Sequence, residues 1–351
     1  MNPFTTYRGI RLNGRLIESE ELNRAEGKDR FELEVITYCL QLFDDSEFTA
    51  IQTSGSTGTP TRLEFPKTAL IQSASATNKF FGLGSRSKAL LSLPLNYVAA
   101  KLMVVRAIIG EYNLITVKPT ANPLRNLDEA ISFVPMTPYQ VKSVLAESPQ
   151  AFAQVATILL GGGEVSSELE AQLLKVDSTF YVGFGMAETL THFALSKIDG
   201  QSEMTYKTFP GVLINEDEKG CLVINRPGIT KGNLVTNDLI EIVEGGFKWL
   251  GRIDNLINSG GVKIIPEEVE KLLESEIESN FFVAGIPDST LGEKVALFIE
   301  GEEQPDPDEI SFQNAYQKPK QIISLKKFLY TESGKVRRTE TVKSWLDSTV
   351  D

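Results

Sequence analysis

Between positions 88 and 183, five short apolar segments rich in β-formers (88–93, 112–118, 130–134, 155–160 and 179–183) alternate with helix-length runs. Strand-like and helix-like patterns that alternate in this way give an α/β layout, because each element must bury one apolar face against another layer. Upstream, 47–52 and 61–65 read as two more strands, and Pro66 opens a helical run through Ala69, Ile71, Ala74 and Phe80. Downstream, 219–250 changes to short strands punctuated by Glu218-Lys219-Gly220, Arg226-Pro227-Gly228 and Glu244-Gly245-Gly246, as in an antiparallel subdomain. The polar, glycine-flanked Gly251-Arg252-Ile253-Asp254 marks a boundary. Beyond it the pattern predicts a strand at 262–265 and a helix at 267–277 started by Pro266, with Val269, Leu272, Leu273 and Ile277 on one face. Strands at 281–286, 294–299 and 321–325 and a terminal helix at 339–346 complete that module. The expected architecture is a large layered α/β N-terminal domain with an antiparallel β subdomain (1–252), followed by a small mobile α+β C-terminal domain (253–351).

The connection between the first two strands, Thr53-Ser54-Gly55-Ser56-Thr57-Gly58-Thr59-Pro60, consists of glycines and hydroxyls with almost no side-chain bulk. Glycines let a backbone approach an anion closely, and six flanking hydroxyls can donate to phosphate oxygens. A Walker loop needs a lysine and a different spacing, so a Walker ATPase is not expected. Read without its neighbours, the same octet is equally an ordinary solvated loop.

Charge narrows the partners. The 351-residue chain carries a formal net charge of −12, which repels nucleic acid and anionic membranes, so an anionic ligand needs a local cationic pocket. There is no apolar leader after Met1 and no apolar run of about eighteen residues, the length needed to cross a bilayer, so a cytoplasmic protein is expected. The two cysteines, Cys39 and Cys221, lie in apolar contexts and read as reduced, buried thiols.

Further motifs stand in order behind the hydroxyl-rich loop: Ile158-Leu159-Leu160-Gly161-Gly162-Gly163-Glu164, Phe184-Gly185-Met186-Ala187-Glu188-Thr189, Thr236-Asn237-Asp238-Leu239, Gly251-Arg252-Ile253-Asp254 and Ser333-Gly334-Lys335-Val336-Arg337-Arg338. Each is weak alone, but their order and spacing resemble the adenylate-forming superfamily of acyl-CoA synthetases, carrier-protein adenylation domains and luciferases. The resemblance implies an enzyme that joins a carboxylate to the α-phosphate of ATP, releases pyrophosphate and passes the acyl group from AMP to a thiol. It implies ATP and Mg²⁺ as cofactors and coenzyme A as co-substrate. Such a site needs cations and oriented dipoles where phosphate charge builds up.

Residue by residue, the resemblance assigns phosphate binding to Thr53, Ser54, Gly55, Ser56, Thr57 and Gly58. It places Gly162, Gly163 and Glu164 beside the adenine, with Phe184 and Gly185. Glu188 becomes the Mg²⁺ carboxylate, Asp238 and Arg252 the ribose pair, and Lys335 the bridge between carboxylate and α-phosphate. Asp254 becomes the hinge, with Gly260 and Gly261 on the thiol side. Bland readings stand beside these: a surface lysine, a strand-end glutamate, an Asx-turn, a core phenylalanine and a plain β-turn.

Several positions depart from the family pattern. Pro60-Thr61-Arg62 stands where Pro-Lys is usual, Phe184 where tyrosine is, Ala187 where threonine is, and Leu93-Pro94-Leu95-Asn96-Tyr97 lacks the usual histidine. Tyr97, Met186 and His192, the single histidine, are candidates for the acid pocket. His192 lies four residues after Glu188 and is expected on the same side of a helix, as a structural or pocket-lining group.

The compact form and the Leu-Gly-Gly-Gly-Glu and Gly-Met-Ala-Glu-Thr wording are most similar to the short o-succinylbenzoate-CoA ligases of bacterial menaquinone synthesis. Alternatives are a CoA ligase for another small acid, a carrier-protein adenylation enzyme and a nucleotide-binding homologue without catalysis. The partners implied are a small carboxylic acid, ATP and CoA, with a homo-oligomer left open.

Overall fold

A computed structural model of the protein describes residues 2–52, 62–200, 203–302, 305, 312, 314–331 and 336–349. The expected phosphate loop, Thr53 to Gly58, and Lys335 lie outside the described residues. The chain divides into two compact units: Met1–Val165, Leu169–Ile214 and Ile224–Leu234 form the first, and Ser166–Glu168, Asn215–Val223 and Val235–Asp351 the second.

The first unit begins with the hairpin β1 (Gly9–Leu12) and β2 (Arg15–Glu18), then α1 (Arg30–Phe43), whose N-cap Asp29 accepts the backbone N–H of Glu32 at 2.8 Å. Strands β3 (Phe48–Gln52) and β4 (Arg62–Pro66) pair antiparallel, so 53–61 joins two strands as the sequence predicts. The base of this hairpin is pinned by Lys67, fully buried at the start of α2 (Lys67–Phe81). Its ammonium donates to the Asp44 carboxylate at 2.8 Å and the Asp44 carbonyl at 3.0 Å.

The main sheet follows with β5 (Lys88–Leu91), α3 (Val98–Gly110), β6 (Asn113–Thr116), β7 (Ile131–Met136), α4 (Pro138–Glu147), β8 (Val155–Leu160), α5 (Ser167–Leu173), β9 (Thr179–Met186), β10 (Thr191–Lys197) and β11 (Lys207–Thr208). Its nine strands run in the order β11-β10-β9-β8-β7-β5-β6-β1-β2. The segment from β9 to β6 and on to β1 is parallel, with antiparallel strands added at both ends. Buried parallel strands need apolar residues on both faces, and β8 (Val-Ala-Thr-Ile-Leu-Leu) supplies them. Helix α4 starts with a reciprocal capping box: Gln140 N–H donates to Thr137 Oγ1 at 3.2 Å, and Thr137 N–H donates to Gln140 Oε1 at 3.0 Å. The chain places β6 on one side of β5 and then returns to place β7 on the other. At such a reversal the loops leaving the carboxyl ends diverge, and the crevice between them is where open α/β sheets bind ligands.

Strands β12 (Leu213–Glu216) and β13 (Cys221–Asn225) lead to the antiparallel hairpin β14 (Asn233–Val243) and β15 (Gly246–Arg252), which sets Asp238 opposite Arg252. The second unit also holds β16 (Ile257–Ser259), β17 (Val262–Ile264), α6 (Pro266–Leu273), β18 (Phe281–Asp288), β19 (Gly292–Glu300), β20 (Gln321–Leu325) and α7 (Arg338–Thr349). Its sheet runs β17-β16-β19-β18, with β20 parallel to β19. Helix α6 ends at Leu273, short of the expected Ile277, which is buried beyond the helix with Val269 and Leu273. The opposite face is aromatic: Phe282 stacks on Phe298 at 4.9 Å, and Trp345 from α7 meets Phe298 edge-on at 5.6 Å.

Both cysteines are free and buried, and no helix among the described residues is long and apolar enough to cross a membrane.

One largely buried ion pair, with side chains 24% (Arg338) and 13% (Glu270) exposed, closes the second unit. Arg338 at the start of α7 binds both oxygens of Glu270 on α6, at 2.7 and 2.8 Å. Burial pushes the Glu270 carboxyl up to about 7, although Arg338 opposes it. Replacing Arg338 with Leu leaves a buried carboxylate uncompensated, which costs about 3–5 kcal/mol. Denaturant melts at pH 8 should show that loss. It should shrink toward pH 5.5, where protonation removes the charge; an equal loss at both pH values would contradict this account.

Candidate active site

The loops at the carboxyl edge of the parallel strands, with the last residues of β9, carry most of the predicted site residues of the first unit that are described. After β5 comes the turn to Tyr97, which is half-buried at the N-cap of α3. After β8, Gly161 N–H donates to the Met136 carbonyl at the end of β7 (3.2 Å), and the exposed Gly162, Gly163 and Glu164 follow. Gly162 has φ of +80°, a left-handed conformation that glycine adopts without a Cβ penalty.

Strand β9 runs to Met186, three residues beyond the expected end, because β10 pairs with its last turn of sequence. Gly185 is required there: a Cβ would lie 2.2 Å from the Thr191 carbonyl on β10. Phe184 is half-buried, with ring edges packed against Phe193 (5.9 Å) and Tyr206 (5.1 Å). Glu188, also half-buried, sits in a short 3₁₀ turn, Ala187–Thr189, that ends the strand.

That turn corrects one expectation. Glu188 and His192 do not share a helix; the 3₁₀ turn stops at Thr189 and His192 belongs to β10. Between them Leu190 (φ +51°) and Thr191 (φ +78°) are both left-handed. Two consecutive non-glycine residues in this region, one of them β-branched, are a strained backbone that surrounding contacts must hold in place.

The contacts that do so are polar and buried. Ser73 Oγ donates to the Leu190 carbonyl at 2.7 Å, and Arg106 Nη2 donates to Thr191 Oγ1 at 3.1 Å. Arg226 Nη1 donates to the carbonyls of Thr189 (2.6 Å) and His192 (3.4 Å). The Thr189 hydroxyl accepts the Met186 N–H at 3.0 Å and lies 2.7 Å from the Thr191 carbonyl. Neither arginine has an ion-pair partner among the described residues, and Arg106 Nε has no hydrogen-bond partner there. Burial brings both guanidinium groups down to about 10, so each stays charged at neutral pH.

His192 packs among these cations with Nε2 3.1 Å from the Thr77 hydroxyl. Burial first, then the charges of Arg106 and Arg226, holds its pKa well below the usual 6.5. The ring is therefore neutral, which suits a structural or pocket-lining group and not a proton carrier.

In the second unit, Asp238 is buried. It accepts from Trp249 Nε1 at 3.1 Å and faces Arg252 Nη1 at 3.7 Å, and both contacts fall on Oδ1. Burial raises its pKa, while Trp249 and Arg252 oppose the rise. Asp254 also feels burial, but hydrogen bonds from Arg252 (2.8 Å) and Asn237 (3.0 and 3.1 Å) outweigh it and hold the carboxyl below its usual value. Gly260 (φ +60°) and Gly261 (φ +84°) form the two-residue turn between β16 and β17. Two left-handed positions in a hairpin of this length favour glycines on their own account.

The family model described as "AMP-binding enzyme" matches residues 17–232. The chain belongs to the AMP-binding enzyme family. A curated relative, the 2-succinylbenzoate–CoA ligase of Salmonella typhimurium, is 27% identical over 71% of this chain and 57% of its own length. The chain thus spans about half the length of the first curated relatives that it matches. Among solved structures of the family's fold, an acyl-CoA synthetase (AMP-forming)/AMP-acid ligase II-like protein from Dyadobacter fermentans is 32% identical. The match covers 93% of this chain and 98% of that one, with a TM-score of 0.63. The o-succinylbenzoate coenzyme A synthetase of Bacillus subtilis in complex with ATP and magnesium ion is 20% identical, covering 84% of this chain and 69% of that one at a TM-score of 0.73, and shows the shared fold.

Arg106, Arg226 and Ser73, which hold the turn from Thr189 to His192, were missed by motif reading, and Thr189 stood in a motif without an assigned role. The signal for Arg106 was a charged residue in the largely apolar helix Val98–Gly110, where Lys101 is the other one.

The neutral histidine makes a pH prediction. The unfolded chain protonates His192 near 6.5 and the folded chain does not. Stability is therefore full above that value and falls by up to about 1.4 kcal/mol for each pH unit below it. Urea melts at pH 7.5 and 5.0 should show His192→Gln losing less stability on acidification than the wild type; parallel losses would remove the neutral-histidine assignment.

Proposed function

We propose that the protein is an ATP-dependent acid–thiol ligase that adenylates a carboxylic acid and transfers the acyl group to coenzyme A, with o-succinylbenzoate as the acid. The observation that carries this reading is the gathering of Gly162–Glu164 and Phe184–Glu188 at the carboxyl edge of one parallel sheet, with the buried, carboxylate-free Arg106 behind them. The curated relatives are 2-succinylbenzoate–CoA ligases, which supports the choice of acid.

The residues fit the nucleotide and its metal. Among the described residues no group of three or more His, Cys, Asp or Glu side chains could hold a metal ion. Mg²⁺ is bound through one or two carboxylates plus phosphates and water, and Glu188 is the carboxylate assigned to it here. When bound, the ion neutralises charge on the phosphate oxygens. Gly162 and Gly163 leave room for the adenine and Phe184 is assigned to its ring face; the ribose hydroxyls are assigned to Asp238 and to Arg252, whose Nη1 lies 3.7 Å from Asp238 Oδ1. Thr53 to Gly58 are assigned to the phosphates and Lys335 to the bridge between carboxylate and α-phosphate. Arg62, exposed on β4 beside the loop, is the cation available where the family has lysine.

A diacid brings a second carboxylate, and Arg106 has no carboxylate partner among the described residues, its hydrogen bond going to the Thr191 hydroxyl. A buried guanidinium is costly unless paired, so a ligand carboxylate is the natural counterion. Tyr97, Met186 and His192 are assigned to the wall around it. We assign Asp254 as the pivot of a mobile C-terminal domain, and Gly260 and Gly261 to the path of the thiol.

The test is turnover with ATP and CoA on o-succinylbenzoate beside benzoate, short fatty acids and a no-acid control, following AMP and acyl-CoA by mass. Selective o-succinylbenzoyl-CoA is the expected result. Acyl-AMP without a CoA product would replace CoA with a carrier-protein thiol, and neither product would contradict the ligase reading.

A further inference from the structure

The turn Arg226-Pro227-Gly228 is built to deliver one side chain. Arg226 N–H donates to Thr230 Oγ1 at 2.9 Å, and the Arg226 carbonyl accepts the N–H groups of Ile229 (3.0 Å) and Thr230 (2.9 Å). Gln72 on α2 donates to the Pro227 carbonyl at 2.7 Å. Gly228, at φ +81°, lies so close that a Cβ would come within 2.3 Å of the Gln72 side-chain oxygen. The backbone of Arg226 is thus fixed from both sides, and its side chain runs inward, 3% exposed.

At its end the guanidinium spans the left-handed step at Leu190–Thr191. One nitrogen reaches the carbonyl before the step (Thr189, 2.6 Å) and the carbonyl after it (His192, 3.4 Å). A short hydrogen bond from a charged donor to a buried carbonyl is among the stronger contacts available to a protein. No carboxylate competes for the group among the described residues, so its directional capacity is spent on this backbone. Thr189 is the residue next to Glu188.

We propose that Arg226 is a positioning residue that clamps the Thr189–His192 turn and thereby fixes the Glu188 carboxylate for the metal and phosphates; this rests on the ligase reading of Glu188. A misplacement of about 1 Å costs about 10²-fold in rate where reacting groups must be aligned. Removing the clamp should therefore act on the chemical step and on the metal requirement, and leave recognition of the acid alone.

The experiment compares wild type, Arg226→Met and Arg226→Lys as full chains. The first readout is amide hydrogen exchange of the unliganded protein. In Arg226→Met it should rise at least about tenfold over 186–193 and stay unchanged over 155–160, with partial recovery in Arg226→Lys. The second is acid-dependent adenylation per folded molecule. Here kcat should fall about 10²-fold and the Mg²⁺ midpoint should rise, while KM for the acid stays constant. Unchanged exchange over 186–193, or a loss of activity that only follows the folded fraction with the Mg²⁺ midpoint unmoved, overturns the proposal. A wild type without adenylation overturns the ligase reading instead, and the exchange readout still decides whether the clamp exists.

Discussion

Two guanidinium groups buried without carboxylate partners among the described residues are the constraint around which the first unit is organised. Charge in a low-dielectric interior is tolerated only where hydrogen bonds compensate it. Arg106 and Arg226 find theirs in a hydroxyl and two carbonyls of one turn, at Thr191, Thr189 and His192. The same contacts hold Leu190 and Thr191 in a conformation that an isolated chain avoids. The pull is mutual: the arginines need the acceptors, and the acceptors are presented only because the turn is left-handed. Glu188 lies just before this segment, in the 3₁₀ turn that ends β9.

The parallel sheet supplies the stage. Because β5, β7, β8 and β9 point the same way, their carboxyl ends lie along one edge, and residues far apart in sequence (Tyr97, Gly162, Phe184 and Glu188) converge there. The second unit contributes a different kind of order, a carboxylate network in which Asp238 and Asp254 are tuned in opposite directions. Burial dominates at the first, and hydrogen bonds from Arg252 and Asn237 dominate at the second.

Much of the fold was legible in the residues. Strands β8 and β20 begin and end where apolar, β-branched runs meet turn signals, so 155–160 and 321–325 could be read directly. The end of β9 could not, because Gly183-Phe184-Gly185 looks like a loop and becomes a strand only through pairing with β10. The helix expected between Glu188 and His192 failed for a similar reason. Nothing local in Leu190-Thr191 signals positive φ; the conformation is imposed by Arg226, 37 positions from Thr189, and by Arg106, 85 positions from Thr191. Helix α6 was read too long because Ile277 continues the apolar spacing, although its burial is achieved outside the helix. Motifs thus pointed to residues along the carboxyl edge of the sheet, whereas the groups that shape the backbone beneath them are set by long-range packing.

The account depends on Glu188 standing at a working adenylation site. Pyrophosphate exchange into ATP, measured without CoA in the presence of o-succinylbenzoate, reports that first half-reaction alone. The account predicts exchange that requires the acid and Mg²⁺ and that falls by about 10²–10³ in Glu188→Ala, the range for losing one electrostatic group at such a site. Exchange that persists undiminished in Glu188→Ala, or that is absent from the wild type with every acid offered, would contradict it.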